Sequence, residues 1–298
     1  MNTPILLIIF NRPQKIESLI DSLRIIKPTK IFIAADGPRK NKDGERELCS
    51  KTRDMISLID WPCEIHKNFQ ETNLGCKYGP ITAIDWFFEN VDSGIILEDD
   101  CIPNFDFYNY CRELLAKYED TPQVMHISGN NFQDDKLRGD TNSSYYFSKY
   151  THSWGWATWR RAWSLFHKAV ADFDSFNKEN KISKVPIGRP AQKYWIKNFI
   201  QTINGTDSWD SLWLYTVWYN SALAILPQKN LVNNIGFGND ATHTKTKSIK
   251  TNTSTHNLSK IIHADKIFKD EIADKYTFQK LFRVSITSKI LSRVKKVL

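Results

Sequence analysis

An α/β fold, with a mixed but mainly parallel sheet flanked by helices, follows from three observations on this 298-residue sequence. Short apolar runs alternate with amphipathic segments through the first half of the chain. Polar or acidic clusters fall directly after three of those runs, and open α/β sheets bind their ligands outside the carboxyl ends of the strands. The composition is globular, 41% hydrophobic and 25% charged, so neither disorder nor a fibrous repeat is needed to explain it.

Each element has its own justification. Ile5 to Phe10 is a first strand; it is too short to cross a bilayer and lacks the basic leader and cleavage site of a signal peptide. Pro13, with its fixed φ, starts a helix that runs to about Arg24. Lys30 to Ala35 is a second strand, followed by a polar loop over Asp36 to Asp43 and a helix to about Asp60. Glu64 to Lys67 is a short third strand. After the Asn73-Leu74-Gly75 turn, Pro80 is expected to open a helix carrying Ile81, Ile84, Trp86 and Phe88. Gly94 to Leu97 is a buried strand that ends in Glu98-Asp99-Asp100. In the second half the pattern predicts helices over Trp156 to His167, Gln192 to Ile203 and Trp209 to Ala222, with strands near Leu223 to Leu226 and Leu231 to Asn234. Thr242 to Asn257, rich in Thr, Ser, Lys and Asn, reads as a loop or linker.

Composition excludes several classes of protein. The five cysteines include no C-x-x-C pair, which argues against a disulfide framework or a zinc site and for a reducing, cytoplasmic setting. No G-x-G-x-x-G follows the first strand and no P-loop sequence occurs, which disfavours a dinucleotide fold and a P-loop enzyme. The net charge of +8 is concentrated at the end of the chain, where residues 280–298 hold six basic side chains and no acid. Phe282, Ile286, Ile290 and Val294 recur every four residues there, so a helix would pair an apolar stripe with Arg283, Lys289, Arg293 and Lys296. Such a helix suits peripheral contact with an anionic membrane surface at the inner face, or packing on its own domain. No nucleic-acid-binding motif occurs, and nucleic acid is not expected as a partner.

Chemistry concentrates on the acidic triplet. Three consecutive carboxylates after an apolar strand repel one another unless a cation or water neutralises them, and a hard divalent cation, Mn²⁺ or Mg²⁺, is the natural partner. Strand alternation places Glu98 and Asp100 on one face and Asp99 on the other, with Asp100 as the direct ligand if the cation binds on that side. A solvated cap cluster ahead of the Phe105 helix is the plainer alternative.

The order of these segments resembles the GT-A fold of nucleotide-sugar glycosyltransferases. It is similar in particular to the N-acetylglucosaminyltransferase family that starts hybrid and complex N-glycans, and to related bacterial surface-polysaccharide transferases. The residues that carry the likeness run from Pro4 to Thr244. They are Arg12 after the first strand, Asp36 after the second, the Asn73-x-Gly75 turn, Glu98-Asp99-Asp100, Trp154-Gly155-Trp156, Trp209-Asp210 and Gly236-Phe237-Gly238. The resemblance implies that Arg12 contacts a diphosphate and that Asp36 accepts from the imide of uracil, which favours a UDP-sugar donor. It implies that Asp100 holds the metal while Glu98, Asp99, Asn73 and Gly75 shape the donor site. It also implies a base near Trp209, and an inverting transfer to a glycan or glycolipid acceptor in surface polysaccharide synthesis. Asp210 is the choice for the base, although this chain reads Trp-Asp-Ser where the family has two adjacent acids; Asp207 is the reserve.

His243 is a candidate second metal ligand on a loop flanked by glycines. Trp154 and His152 are candidates for the acceptor pocket. The expected division is a domain over 1–245, with a donor half of about 1–128 and an acceptor half of about 129–245, followed by a linker and basic extension over 246–298. A sugar nucleotidyltransferase would need a Gly-rich loop after the first strand, and Phe10-Asn11-Arg12-Pro13 has none. A non-catalytic glycan-binding relative would be expected to show a broken acidic cluster, and this one is intact.

Overall fold

In the computed structural model, residues 2–236, 254–258 and 260–282 are described. The chain forms an eight-stranded sheet in the order β3-β2-β1-β4-β8-β6-β9-β7 and a two-stranded antiparallel ribbon of β10 and β5. The first four sheet strands in chain order are β1 (Ile5–Ile9), β2 (Lys30–Ala35), β3 (Glu64–Phe69) and β4 (Ser93–Glu98). They are mutually parallel. The ribbon strand β5 (Cys101–Pro103) comes next, then β6 (Val124–Ser128), β7 (Tyr145–Ser148), β8 (Trp156–Trp159), β9 (Leu223–Pro227) and β10 (Val232–Asn234). β8 runs antiparallel between β4 and β6, and β7 runs antiparallel at the edge. The helices, in chain order, are α1 (Pro13–Ile26), α2 (Glu45–Asp54), α3 (Gly75–Asn90), α4 (Phe105–Lys117), α5 (Arg160–Trp163), α6 (Phe166–Ala171), α7 (Phe173–Lys178), α8 (Arg189–Ile203), α9 (Asp210–Tyr219) and α10 (Glu271–Thr277). None of the helices among the described residues is long and apolar enough to cross a membrane.

The continuous apolar runs are explained by burial of the sheet on both faces, with successive side chains serving opposite cores. Along β1, Ile5, Leu7 and Ile9 enter one core while Leu6 enters the other. Gly94 in β4 has a steric reason, because a Cβ there would run into the Phe87 ring of α3. The second core is built largely from aromatics, with Trp156, Trp163, Trp209 and Trp213 in contact beneath α9. Most of the tryptophan excess is therefore core.

Several sequence expectations need correction. Trp156 to Trp159 is strand β8, not the start of a helix; these four residues are buried on both sides between β4 and β6, and helix begins only at Arg160. α3 opens at Gly75, five residues before Pro80. Its first amides are capped from a distance: the Asp207 carboxylate accepts from Cys76 N at 3.0 Å and from Lys77 N at 2.6 Å. Pro80 then falls where its missing N–H leaves only the Cys76 carbonyl without an intrahelical partner.

Residues 254–258 and 260–282, expected beyond the 245/246 boundary, pack on the sheet domain: His256 and Leu258 bond to Asn230 and Asp106, and residues from Ile262 to Asp274 meet the edge strand β7. Ser144 N donates to Ile262 O, Asp270 N donates to Phe147 O, and buried Asp274 of α10 accepts from Ser148 Oγ and Lys149 N. Of the expected basic helix only Lys280 to Phe282 falls in the described set, and its remainder lies outside it.

Candidate active site

Strand order dictates where the polar clusters meet. Because β2, β1 and β4 are parallel neighbours, the residues that follow them emerge side by side at one edge of the sheet. One cavity of about 480 Å³ is lined by Arg12, Asp36, Asn73, Gly75, Glu98, Asp99, Asp100, Trp154, Asp207 and Asp210. The predicted donor-site residues are thus brought together, with both candidate bases on the same wall.

The acidic triplet does not follow strand alternation. β4 ends at Glu98, and Asp99 and Asp100 form a turn, so both carboxylates can face Arg12. Arg12 Nη1 lies 3.0 Å from Asp99 Oδ1 and 3.0 Å from Asp100 Oδ2. Asp99 is nearly inaccessible and also accepts from Phe10 N at 3.3 Å. Burial pushes its carboxyl up against the pull of Arg12. Glu98 is pushed well up, first by burial and then by the charges of Asp100, Asp99 and Asp210, while a hydrogen bond from the Trp209 indole works the other way. The negative charge gathered at this strand end is therefore only partly neutralised by Arg12.

Asp100 is held from the far side by the β10 end, which sequence reasoning did not single out. Asn234 Nδ2 donates to Asp100 Oδ1 at 3.2 Å and Ile235 N donates to the Asp100 carbonyl at 2.8 Å. Gly236 packs so closely that a Cβ there would run into Asp100 Oδ2. The only sequence signal for this was the Gly236-Phe237-Gly238 likeness; nothing marked Asn234.

Could these residues hold a divalent cation? Among the described residues no three His, Cys, Asp or Glu side chains converge as a complete ligand set. Carboxylate oxygens such as those of Asp100 are the donors a hard cation takes when substrate phosphates complete its shell, and a cation there would have to displace Arg12 from Asp100 Oδ2 or share that oxygen with it. His243 lies outside the described residues.

Asp36 sits differently from its expected role. Its Oδ1 accepts from Gly37 N and Leu74 N, and its Oδ2 accepts from Asn73 Nδ2 and Gly75 N, all at 2.8–3.1 Å. Four donors fill the four acceptor positions of a carboxylate. In this geometry Asp36 fixes the turn that starts α3 and has no lone pair left for an imide. Burial raises its pKa, while the Leu74, Gly37 and Gly75 amides pull it down.

The two candidate bases are separated by their partners. Both are exposed; Asp207 is the cap of α3 described above, whereas Asp210, among the described residues, accepts from its neighbours Ser208 Oγ and Ser211 N. Trp154 lines the cavity, with its ring edge-on to Phe132. His152 does not line it. That side chain is buried against Phe132, and its backbone bonds to Ser128.

No family model matches the chain and no curated protein matches it. Solved structures do. A mannosyltransferase, PcManGT from Pyrobaculum calidifontis, in complex with GDP-Man and Mn²⁺, is 16% identical with a TM-score of 0.39, the match covering 56% of this chain and 47% of that one. GalNAc-T7 with UDP, GalNAc and Mn²⁺ is 13% identical with a TM-score of 0.45, over 76% of this chain and 43% of that one. A cytidylyltransferase from Leptospira borgpetersenii is 9% identical with a TM-score of 0.34, over 56% of this chain and 65% of that one. The chain thus spans about half the length of the two glycosyltransferases. These are distant likenesses of fold, and what this chain binds is a matter of its own pocket residues.

Proposed function

We propose that the chain is a metal-dependent glycosyltransferase that moves a sugar, with inversion, from a nucleotide-sugar donor to a glycan or glycolipid acceptor. A UDP-sugar is the donor the family resemblance favours, although the imide contact it assigned to Asp36 is taken up here by the turn that starts α3. The observation that carries this reading is the meeting of Arg12, the Glu98-Asp99-Asp100 end of β4 and exposed Asp210 in one cavity. Arg12 binds the diphosphate, for which a planar guanidinium fork is suited. Asp100 would hold a divalent cation, which supplies charge neutralisation for the departing diphosphate. Asp210 accepts the proton of the acceptor hydroxyl as that oxygen bonds to the anomeric carbon and the bond from that carbon to the diphosphate breaks. With its pKa held up, Glu98 donates or shares a proton within the acidic group and limits the charge buried there. Trp154 offers a ring edge to the acceptor side. The division of 1–245 into donor and acceptor halves belongs to the same proposal, with the domain carried past 245 by the residues that pack on β7, as does His243 as a second ligand.

Membrane contact through 280–298, at the inner face, fits a lipid-linked acceptor in surface polysaccharide synthesis. A sugar nucleotidyltransferase is the second reading, and the glycine-free turn after β1 speaks against it.

The test is a thermal-shift series with UDP, GDP, CDP and CTP, each with and without Mn²⁺, since a ligand bound only by the native state raises apparent stability. UDP with Mn²⁺ should shift the wild type and fail to shift Asp100→Ala, whose unliganded melting should remain cooperative. A metal-independent shift would refute the cation's part in donor binding, and a metal-dependent shift retained by Asp100→Ala would move the cation elsewhere. A larger response to CTP than to any diphosphate would favour the nucleotidyltransferase.

A further inference from the structure

Beside the donor cavity lies a second, more open groove of about 520 Å³. The two share Asn73, Gly75 and Asp207 as a common wall. On its outer side are Tyr78, Asn204 and Gly205. Tyr78 is 59% exposed, the most exposed large aromatic among the described residues. It stands in the second turn of α3, and the Lys77 ammonium lies 5.5 Å from its ring centroid. A Cβ added at Gly205 would meet nothing within 4 Å, so the groove is open at that end.

The geometry points to this groove as an outer acceptor subsite that takes a neutral saccharide of at least two sugar units, with Tyr78 as its stacking platform. This assignment rests on the glycosyltransferase reading. Its chemistry follows from the groups present. A sugar offers an apolar C–H face and a rim of hydroxyls, and an exposed phenol ring beside a side-chain amide matches both. An anionic ligand is disfavoured because the one cation in the wall, Lys77, already donates to Thr202 O at 2.8 Å and is buried, while Asp207 adds negative charge. A second nucleotide is disfavoured for the same reason.

The position fits an acceptor rather than the donor. The groove lies outside the Gly75 and Asp207 wall, away from the Asp99 and Asp100 turn. Asp207 and Asp210 are separated by three residues of chain, at most about 10 Å. Asp207 lines both spaces, so a saccharide resting on Tyr78 borders the cavity that holds the proposed base.

The experiment uses the full chain with saturating UDP and Mn²⁺ on an array of neutral and acidic oligosaccharides, comparing wild type, Tyr78→Ala and Tyr78→Phe. Wild type should bind a set of neutral oligosaccharides. Tyr78→Ala should lose at least about fivefold of that signal and Tyr78→Phe should keep it, as expected for a stacking contact. A UDP and Mn²⁺ titration, run in parallel, should be the same for all three. Absence of any neutral-glycan signal, a signal confined to acidic glycans, or full binding by Tyr78→Ala would overturn the subsite. Failure of the wild type to bind UDP with Mn²⁺ would instead overturn the donor reading, and the two failures are told apart by which measurement is lost.

Discussion

Lowering the pH from 7 to 5 should cost the fold about 2 kcal/mol through one side chain, His126. It lies on β6 beneath the aromatic core, with no accessible surface, and its ring stacks on Trp156 at 5.0 Å. Nδ1 lies 3.0 Å from Trp213 Nε1, which can only donate. Nδ1 must therefore be the acceptor, and Nε2–H faces the His152 carbonyl at 3.0 Å and Ser128 Oγ at 2.9 Å. Burial pushes its pKa down to about 3 from an ordinary 6.5, although the His152 carbonyl works the other way. The unfolded chain thus binds a proton between pH 6.5 and 3 that the native state refuses, so stability falls as pH falls through that window. Each pH unit well inside it is worth about 1.4 kcal/mol, which gives the figure at pH 5.

Asp274 acts in the opposite sense. Its burial raises it to about 6 from 3.8, so the native state takes its proton first and gains about 1.3 kcal/mol on going to pH 5. Asp99 and Glu98, also pushed up by burial, act in the same sense as Asp274, so a comparison with His126→Gln is what isolates the histidine, because all three acids are common to both proteins. Urea unfolding at the two pH values should show the stability advantage of the wild type over the variant shrinking by about 2 kcal/mol at pH 5. An advantage that stays constant within about 0.5 kcal/mol would mean that His126 is not the neutral, buried acceptor described.

Two further outcomes bear on the active site and the end of the chain. Asp210→Asn should keep UDP binding and lower transfer by at least about a hundredfold, whereas Asp207→Ala should release the Cys76 and Lys77 amides and cost about 1 kcal/mol of stability in a melting curve. Full turnover by Asp210→Asn, with loss of turnover in an Asp207→Asn variant that melts like the wild type, would reverse the two roles. Truncation after Phe282 keeps the Lys280 contact with the Phe132 carbonyl and should abolish sedimentation with anionic vesicles; unchanged sedimentation would refute the membrane role of the tail.

The parallel half of the fold was legible because its strands are short apolar runs with side chains serving both cores, and because each run ends in a polar cluster. The convergence of Arg12, Asp36 and the acidic triplet then follows from the rule that parallel strands present their carboxyl ends together. The antiparallel half was less legible for a physical reason. β8 is made of Trp156-Ala157-Thr158-Trp159, whose continuous burial between β4 and β6 leaves no alternation to distinguish it from a buried helix segment. The departure from strand geometry at Asp99 was equally invisible, since a turn immediately after a strand has no composition of its own when all three residues are acids.

What sequence could least supply was the division of labour among acids of the same type. Asp36, Asp207 and Asp210 all follow or open an element, and each could be a cap, a ligand or a base. Among the described residues the structure separates them by their donors: four on Asp36, two distant α3 amides on Asp207, and near neighbours on Asp210. A carboxylate whose oxygens already accept distant amides has fewer lone pairs to turn toward an incoming hydroxyl. The Asp207 amides come from residues about 130 positions earlier in the chain, so no local pattern could have revealed the cap. Asp36 and Asp207 thus build the wall between donor cavity and outer groove, and Asp210, among the described residues, has no such distant backbone donor to hold its carboxylate away from an incoming hydroxyl.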